Sequence, residues 1–169
     1  VNFGIVYGIS EFSLAGDIGV SLQEAKEYMT RYFAKYSGVR RYQKEVVEQA
    51  KRDGYVSTLM GRRRWLPELK SSNYNLRSFG ERVALNMPIQ GTAADIIKQA
   101  MLAVWRRLKE EGLAGKLILQ VHDELIVECP AAEGDRIAEI LEEEMEHVAE
   151  LTVPLVAEAH VGKSWADAH

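Results

Sequence analysis

Lys116-Leu117-Ile118-Leu119-Gln120-Val121-His122-Asp123-Glu124-Leu125-Ile126-Val127 is the stretch whose reading decides the fold. Two apolar, β-prone runs, 116–121 and 125–127, are too short for helices and flank the polar His122-Asp123-Glu124, so the pattern predicts a β-hairpin. Tight hairpin turns favour Asn-Gly or Asp-Gly because they need positive φ. Turn chemistry alone therefore does not account for His122-Asp123 at the tip. Adjacent carboxylates at the exposed end of a rigid ribbon are well placed to ligate a hard divalent cation such as Mg²⁺, which takes oxygen ligands. An acidic pair at a turn is also a common solvated feature, so on its own the motif leaves both readings open.

Upstream, Ala25, Tyr28, Met29, Tyr32, Phe33 and Tyr36 recur at helical spacing after a Ser21/Glu24 capping box, which predicts a helix ending near Ser37-Gly38. A second amphipathic helix is expected over 39–52, stopping at Asp53-Gly54. Tyr55 to Leu59 then reads as a strand that turns at Gly61 into Arg62 to Leu66, a basic hairpin. A helical pattern resumes over 75–85, is expected to break at Pro88, and restarts at Gly91-Thr92 with Asp95 as a capping aid, running to Gly112. Beyond the central hairpin, 137–151 reads as an acidic amphipathic helix and 153–161 as a last strand.

Composition narrows the class. The chain has 169 residues, 47% of them hydrophobic, enough for one core or two small subdomains. A lone Cys129 forms no intramolecular disulfide, no apolar run reaches membrane-span length, and a reducing intracellular setting is the expectation. Formal net charge is −4, unevenly spread: residues 26–70 carry twelve Lys or Arg against five acids, and 127–169 carry eleven acids against two bases. The first region can meet phosphates. Val1 opens into Asn2-Phe3-Gly4 with no initiator methionine, which reads as a cut inside an element. Cys129, His147, His160 and His169 lack metal-ligand spacing and nucleophile-and-base company, and read as structural or solvated.

Four strings in order along the chain resemble family A (bacterial DNA polymerase I-like) DNA polymerases. Asn2-Phe3-Gly4 with Tyr7-Gly8 is similar to the end of that family's nucleotide-binding fingers helix, and Gly61-Arg62-Arg63-Arg64 to its basic hairpin. Arg82 with Asn86-Met87-Pro88-Ile89-Gln90-Gly91-Thr92-Ala93-Ala94-Asp95 is similar to its primer-template-contacting segment, and Gln120 to Leu125 to its catalytic hairpin.

The resemblance implies an α+β fold. Residues 1–74 would be a fingers-like helical region with a basic β-hairpin. Residues 75–169 would be a palm-like region with a long kinked helix, an antiparallel catalytic hairpin packed on helices, an acidic helix and a final strand. It also implies a nucleotidyltransferase of DNA replication and repair, template-directed, cytoplasmic and nucleoid-associated in a bacterium. Its partners would be primer-template DNA, deoxynucleoside triphosphates and the upstream part of the same polymerase, with no membrane.

By the same resemblance Asp123 is a principal Mg²⁺ ligand and Glu124 an accessory catalytic carboxylate. Phe3 lies against the incoming base and sugar, favouring discrimination against dideoxynucleotides; Tyr7 stacks at the templating position, and Gly8 completes the substrate site. Arg82, Asn86, Gln90 and His122 contact the primer-template near the growing end, and Arg62, Arg63 and Arg64 contact phosphates. From spacing alone, Phe3 and Tyr7 also fit an ordinary core pair, and Arg82, Asn86 and Gln90 a solvated stripe. The family's triphosphate-binding Arg and Lys, its other catalytic aspartate and its ribonucleotide-excluding glutamate would fall before Val1, so these residues alone are expected not to polymerise. The alternative expectation is a non-catalytic DNA-binding module; a metal-dependent hydrolase lacks a visible nucleophile or complete ligand set.

Overall fold

Caps and glycines set most of the helix ends in the computed structural model, which describes residues 2–168. Val1 and His169, both named above, lie outside the described residues. The chain divides into two units, Val1–Thr92 and Ala93–His169. In the first, α1 (Asn2–Val6) gives way to Gly8 at φ +82°. Helix α2 (Glu11–Ile18) starts at Ser10, whose hydroxyl accepts the Ser13 N–H, and ends at Gly19 in the left-handed region. The sequence pattern above did not mark α2, although Ser10 and Gly19 are its start and stop signals. Helix α3 (Leu22–Lys35) opens with the expected capping box: Ser21 accepts the Glu24 N–H, and the Glu24 carboxylate accepts the Ser21 N–H at 2.9 Å. The Ser21 hydroxyl also donates to that carboxylate at 2.7 Å, and this bond first, then the Ser21 N–H, lowers the Glu24 pKa by favouring the charged form.

Helix α4 (Ser37–Asp53) stops at Gly54, φ +81°, and leads into the basic hairpin. Strand β1 (Tyr55–Ser57) pairs antiparallel with β2 (Arg63–Trp65), Val56 opposite Arg64. The hairpin's inward side closes a core of Ala50, Val56, Leu66, Leu69 and Ala84, with Val46, Val47, Val83 and Met87 packed against it. Alanine at Ala50 and Ala84, both fully buried, lets the helix backbones approach closely.

The expected break at Pro88 is absent: α5 is one helix, Tyr74–Glu110, with Pro88 inside it. Neither Gly91-Thr92 nor Asp95 begins a new helix. Proline removes one backbone donor and crowds the carbonyl four residues back. Here that neighbour is the compact, fully buried Ala84. Thr92 fixes the following turn: its Oγ1 donates to the Pro88 carbonyl at 2.5 Å and accepts the Leu59 N–H at 3.0 Å. The helix thus continues through a residue that local propensity reads as a stop, and the turn after it takes a tertiary hydrogen bond from Leu59.

In the second unit β3 (Lys116–Val121) and β4 (Glu124–Glu128) form the expected antiparallel hairpin, Val121 opposite Glu124. The register slips between Leu117 and Leu119, leaving Ile118 as an extra residue, the geometry of a β-bulge. Helix α6 (Gly134–His147) sits upstream of the expected 137–151. It closes on itself where the His147 Nδ1 donates to the Glu143 carbonyl at 2.7 Å. Val104, Leu108, Ile137 and Ile140 form the core, with Leu113, Leu125, Val127 and Cys129 against it. Burial first, then Glu133, pushes the Cys129 thiol up, which keeps it an unreactive packing group.

The strand expected over 153–161 pairs with no other strand among the described residues. Its burial still alternates, Leu155, Ala157 and Ala159 half-buried between exposed Val156, Glu158 and His160. The backbone donors of Ala157 and Ala159 go to the carboxylates of Glu146 and Glu142 on α6, at 3.0 and 2.8 Å, instead of to a ladder. Period-2 patterning predicts which side chains turn inward; it does not supply a pairing partner.

An ion network ties α5 to α6. Arg136 and Arg107 both bond Glu111, at 2.7 and 2.6 Å, and Arg107 also reaches Glu144 at 3.1 Å. The hydrogen bonds from Arg136 and then Arg107 hold the Glu111 carboxyl at about 2. A carboxyl with a depressed folded pKa contributes stability above its unfolded value and loses it as pH falls through the folded one. Glu111→Gln should therefore lower the thermal midpoint at pH 7, and its gap from the parent should close as pH falls from about 4.5 towards 2. Thermal unfolding followed by circular dichroism across that range is the check; a gap independent of pH would remove the network from the account.

Candidate functional site

Phe3 and Tyr7 stack, their ring centroids 6.4 Å apart and 24° from parallel, so the aromatic pair forms as the spacing predicts. It is not a core pair: Phe3 is 79% exposed. Gly8 lies past the end of α1 rather than on its stripe with Gly4. A Cβ at Gly8 would come within 2.7 Å of Leu85 on α5, and its φ of +82° is one that side chains rarely adopt. From α4, the Gln43 amide donates to the carbonyls of Ile5 and Val6 at 2.7 and 3.1 Å. Both bonds satisfy acceptors that a helix C-terminus leaves open. Gly8, Gln43, Lys51, Glu81, Arg82 and Leu85 line one cleft of about 450 Å³, with Lys51 paired to Glu81 across it.

Because α5 runs unbroken through Pro88, Arg82, Asn86 and Gln90 share one helical stripe. Arg82 and Gln90 are exposed, and the Arg82 guanidinium takes Ser78 Oγ at 3.3 Å. Asn86 is half-buried, and its Oδ1 is buried without a hydrogen-bond partner. The three hairpin arginines differ. Arg62 donates through Nη2 to the Gly91 carbonyl at 2.9 Å, and the Arg63 guanidinium lies 4.7 Å from the centre of the Tyr55 ring. Arg64 is exposed.

The second unit holds the remaining candidates at the hairpin apex. His122 and Asp123 form the turn, both exposed, and Glu124 is half-buried at the start of β4. His122 has φ +51°, the only positive value among described non-glycine residues. That conformation is uncommon outside glycine, Asn, Asp and His. Gln120 clamps it by donating through Nε2 to the His122 carbonyl at 2.6 Å. The apex stands in solvent and is not packed in the core. No group of three or more His, Cys, Asp or Glu with metal-binding geometry occurs among the described residues. An all-carboxylate donor pair nonetheless suits Mg²⁺, which keeps several waters and is commonly held by one or two carboxylates together with substrate phosphates.

The model of DNA polymerase family A matches residues 1–167. The chain belongs to DNA polymerase family A. It is 53% identical over 168 residues to DNA polymerase I of Bacillus caldotenax, and 49% identical over 168 residues to that of Mycobacterium leprae. These alignments cover 99% of this chain but 19% and 18% of the relatives, so this family A chain spans about a fifth of their length. Its fold is similar to the POL domain of Pol1 from M. smegmatis, solved with DNA primer-template and dNTP. That match has a TM-score of 0.96 at 47% identity, covering 99% of this chain and 30% of the other. No described helix is long and apolar enough to cross a membrane.

The positioning roles of four residues of this family A chain escaped the sequence reading: Gln43, Thr58, Thr92 and Gln120. Gln43 alone left a signal, sharing the inward stripe of α4 with Val46, Val47 and Ala50, where a polar residue needs a partner. Thr92 acts across 33 positions by accepting from Leu59, and no local pattern reports that. At Gly8, alanine should cost about 1–2 kcal/mol from the left-handed backbone alone, plus a steric cost at Leu85. In urea denaturation Gly8→Ala should be less stable, and in a double-mutant cycle the cost of Gly8→Ala should shrink by the steric part only in a Leu85→Ala background; a cost that vanishes there would mean the backbone is unstrained.

Proposed function

We propose that this chain is part of a template-directed DNA polymerase that adds deoxynucleotides to a primer 3′ end. The observation that carries the reading is the apex of β3 and β4, where Asp123 stands in solvent on a turn fixed by Gln120 and a positive-φ His122. The M. smegmatis relative was solved with primer-template and dNTP, which supports the same classes of partner for this chain. In this reading residues 1–74 are fingers-like and 75–169 palm-like, and the parent enzyme works on bacterial nucleoid DNA in the cytoplasm.

The reaction is attack of the primer 3′-hydroxyl on the α-phosphorus of the triphosphate, with pyrophosphate leaving. Mg²⁺, held by Asp123 and assisted by Glu124, would supply stabilisation of charge on the attacking and leaving oxygens. The rest is binding and alignment. Phe3 offers an exposed face to the incoming base and sugar, Tyr7 stacks at the templating position, and Gly8 allows close approach. Arg82, Asn86, Gln90 and His122 contact the primer-template. Every correct pair presents minor-groove acceptors at purine N3 and pyrimidine O2, so donors there check pair geometry without reading sequence. Arg62, Arg63 and Arg64 belong to a hairpin that meets phosphates without regard to sequence.

We infer further that these 169 residues alone do not polymerise, since they are about a fifth of the relatives' length. In the intact polymerase, Asp123→Ala should lower kcat of Mg²⁺-dependent primer extension by at least a thousandfold, on the order of 4 kcal/mol, while primer-template affinity stays within a few-fold. The isolated chain should show no extension. Full activity of Asp123→Ala would favour a non-catalytic DNA-binding module instead.

A further inference from the structure

The three arginines of the basic hairpin are equivalent in sequence and unequal in the fold. Arg62 faces α5: its Nη2 donates to the Gly91 carbonyl at 2.9 Å, and its own N–H donates to Thr58 Oγ1 at 3.1 Å. The Thr58 N–H returns to the Arg62 carbonyl at 2.9 Å. Leu59 joins the same lock by donating its N–H to Thr92 Oγ1, whose proton goes to the Pro88 carbonyl. Thr58 and Thr92 are 4% and 7% exposed, so these bonds form out of water. Gly91 has no room for a side chain, since a Cβ there would lie 2.7 Å from Thr58 Cγ2 and 3.4 Å from Arg62 Nη2. The hairpin therefore grips α5 over 88–92, the turn that follows Pro88. Gln90 lies inside that turn and Asn86 one turn before it.

We propose that Arg62 is a positioning residue, distinct from the phosphate-contacting role of the hairpin: it fixes the turn at Gly91 and with it the direction in which Gln90 and Asn86 meet the primer-template. Resting on the polymerase reading above, this deepens it by dividing the arginine run into a member committed to the protein and members left for DNA. A guanidinium donating to a backbone carbonyl next to a DNA-contacting side chain acts on geometry, and misplacement of about 1 Å can cost up to a hundredfold in rate. A phosphate contact acts on affinity, and each contributes about 0.9 to the slope of log affinity against log salt on duplex DNA.

The test uses the intact polymerase, with a primer-template duplex binding titration from 50 to roughly 200 mM salt and steady-state single-nucleotide extension. Arg62→Gln should leave the salt slope unchanged and lower kcat on the order of tenfold, with KM for the nucleotide little altered. Thr58→Val removes the hydroxyl of the same lock without touching charge or volume, and should reproduce that kcat loss at unchanged slope. Arg64→Gln, the comparison, should reduce the slope by about 0.9. A slope reduced by Arg62→Gln as much as by Arg64→Gln would overturn the proposal, as would a Thr58→Val enzyme with parental kcat. If Arg63→Gln and Arg64→Gln both leave the slope flat, the phosphate reading of the hairpin fails, while Arg62 is still decided by its own slope and kcat.

Discussion

The hydrogen bonds that join the basic hairpin to residues 88–92 of α5 are the contact around which the first unit is organised. They hold the turn after Pro88 from outside, Leu59 donating to Thr92 and Arg62 to the Gly91 carbonyl, while within the helix Thr92 bonds back to the proline carbonyl. Were the helix to break there, Arg82, Asn86 and Gln90 would no longer share a stripe, because four-residue spacing defines a face only on continuous helix. The fully buried alanines of the first core then make sense as clearance, since larger side chains would hold α4 and the hairpin away from α5.

The apex of the second unit uses the opposite device. A short ribbon of two strands is marginal by itself and gains its rigidity from packing Leu125 and Val127 against α5 and α6. On that base a turn residue with positive φ is sustained by a side-chain bond from Gln120 to the carbonyl of His122. Backbone held away from its preferred region at an exposed acidic turn is a cost to folding, of the kind that concentrates at functional positions. The Glu111 network with Arg107 and Arg136 joins the two helices beneath it. Its exposed charges matter more for fixing helix phase than for stability.

Much of this was legible. The central hairpin, its two-residue tip, the Ser21/Glu24 capping box and the stop at Gly54 are all local, and each element formed where its residues called for it. The stacked Phe3 and Tyr7 followed from spacing alone. The misses have different causes. Helix α2 is short, with weak periodicity; α6 ended early because a side chain bonded its last turn; 153–161 kept strand alternation while carboxylates of α6 took its backbone donors. Only in the last case did a contact from another element decide the outcome.

The sequence by itself determined the period of each element, the identity of the acidic tip and the order of the motifs, because these depend on neighbours within a few residues. Only the tertiary structure decided that α5 passes through Pro88, that Gly8 must stay bare beneath Leu85, and that Arg62 bonds the Gly91 carbonyl. Those outcomes rest on hydrogen bonds and contacts between residues tens of positions apart, and chain-neighbour preferences carry no information about which distant groups will be there to satisfy them.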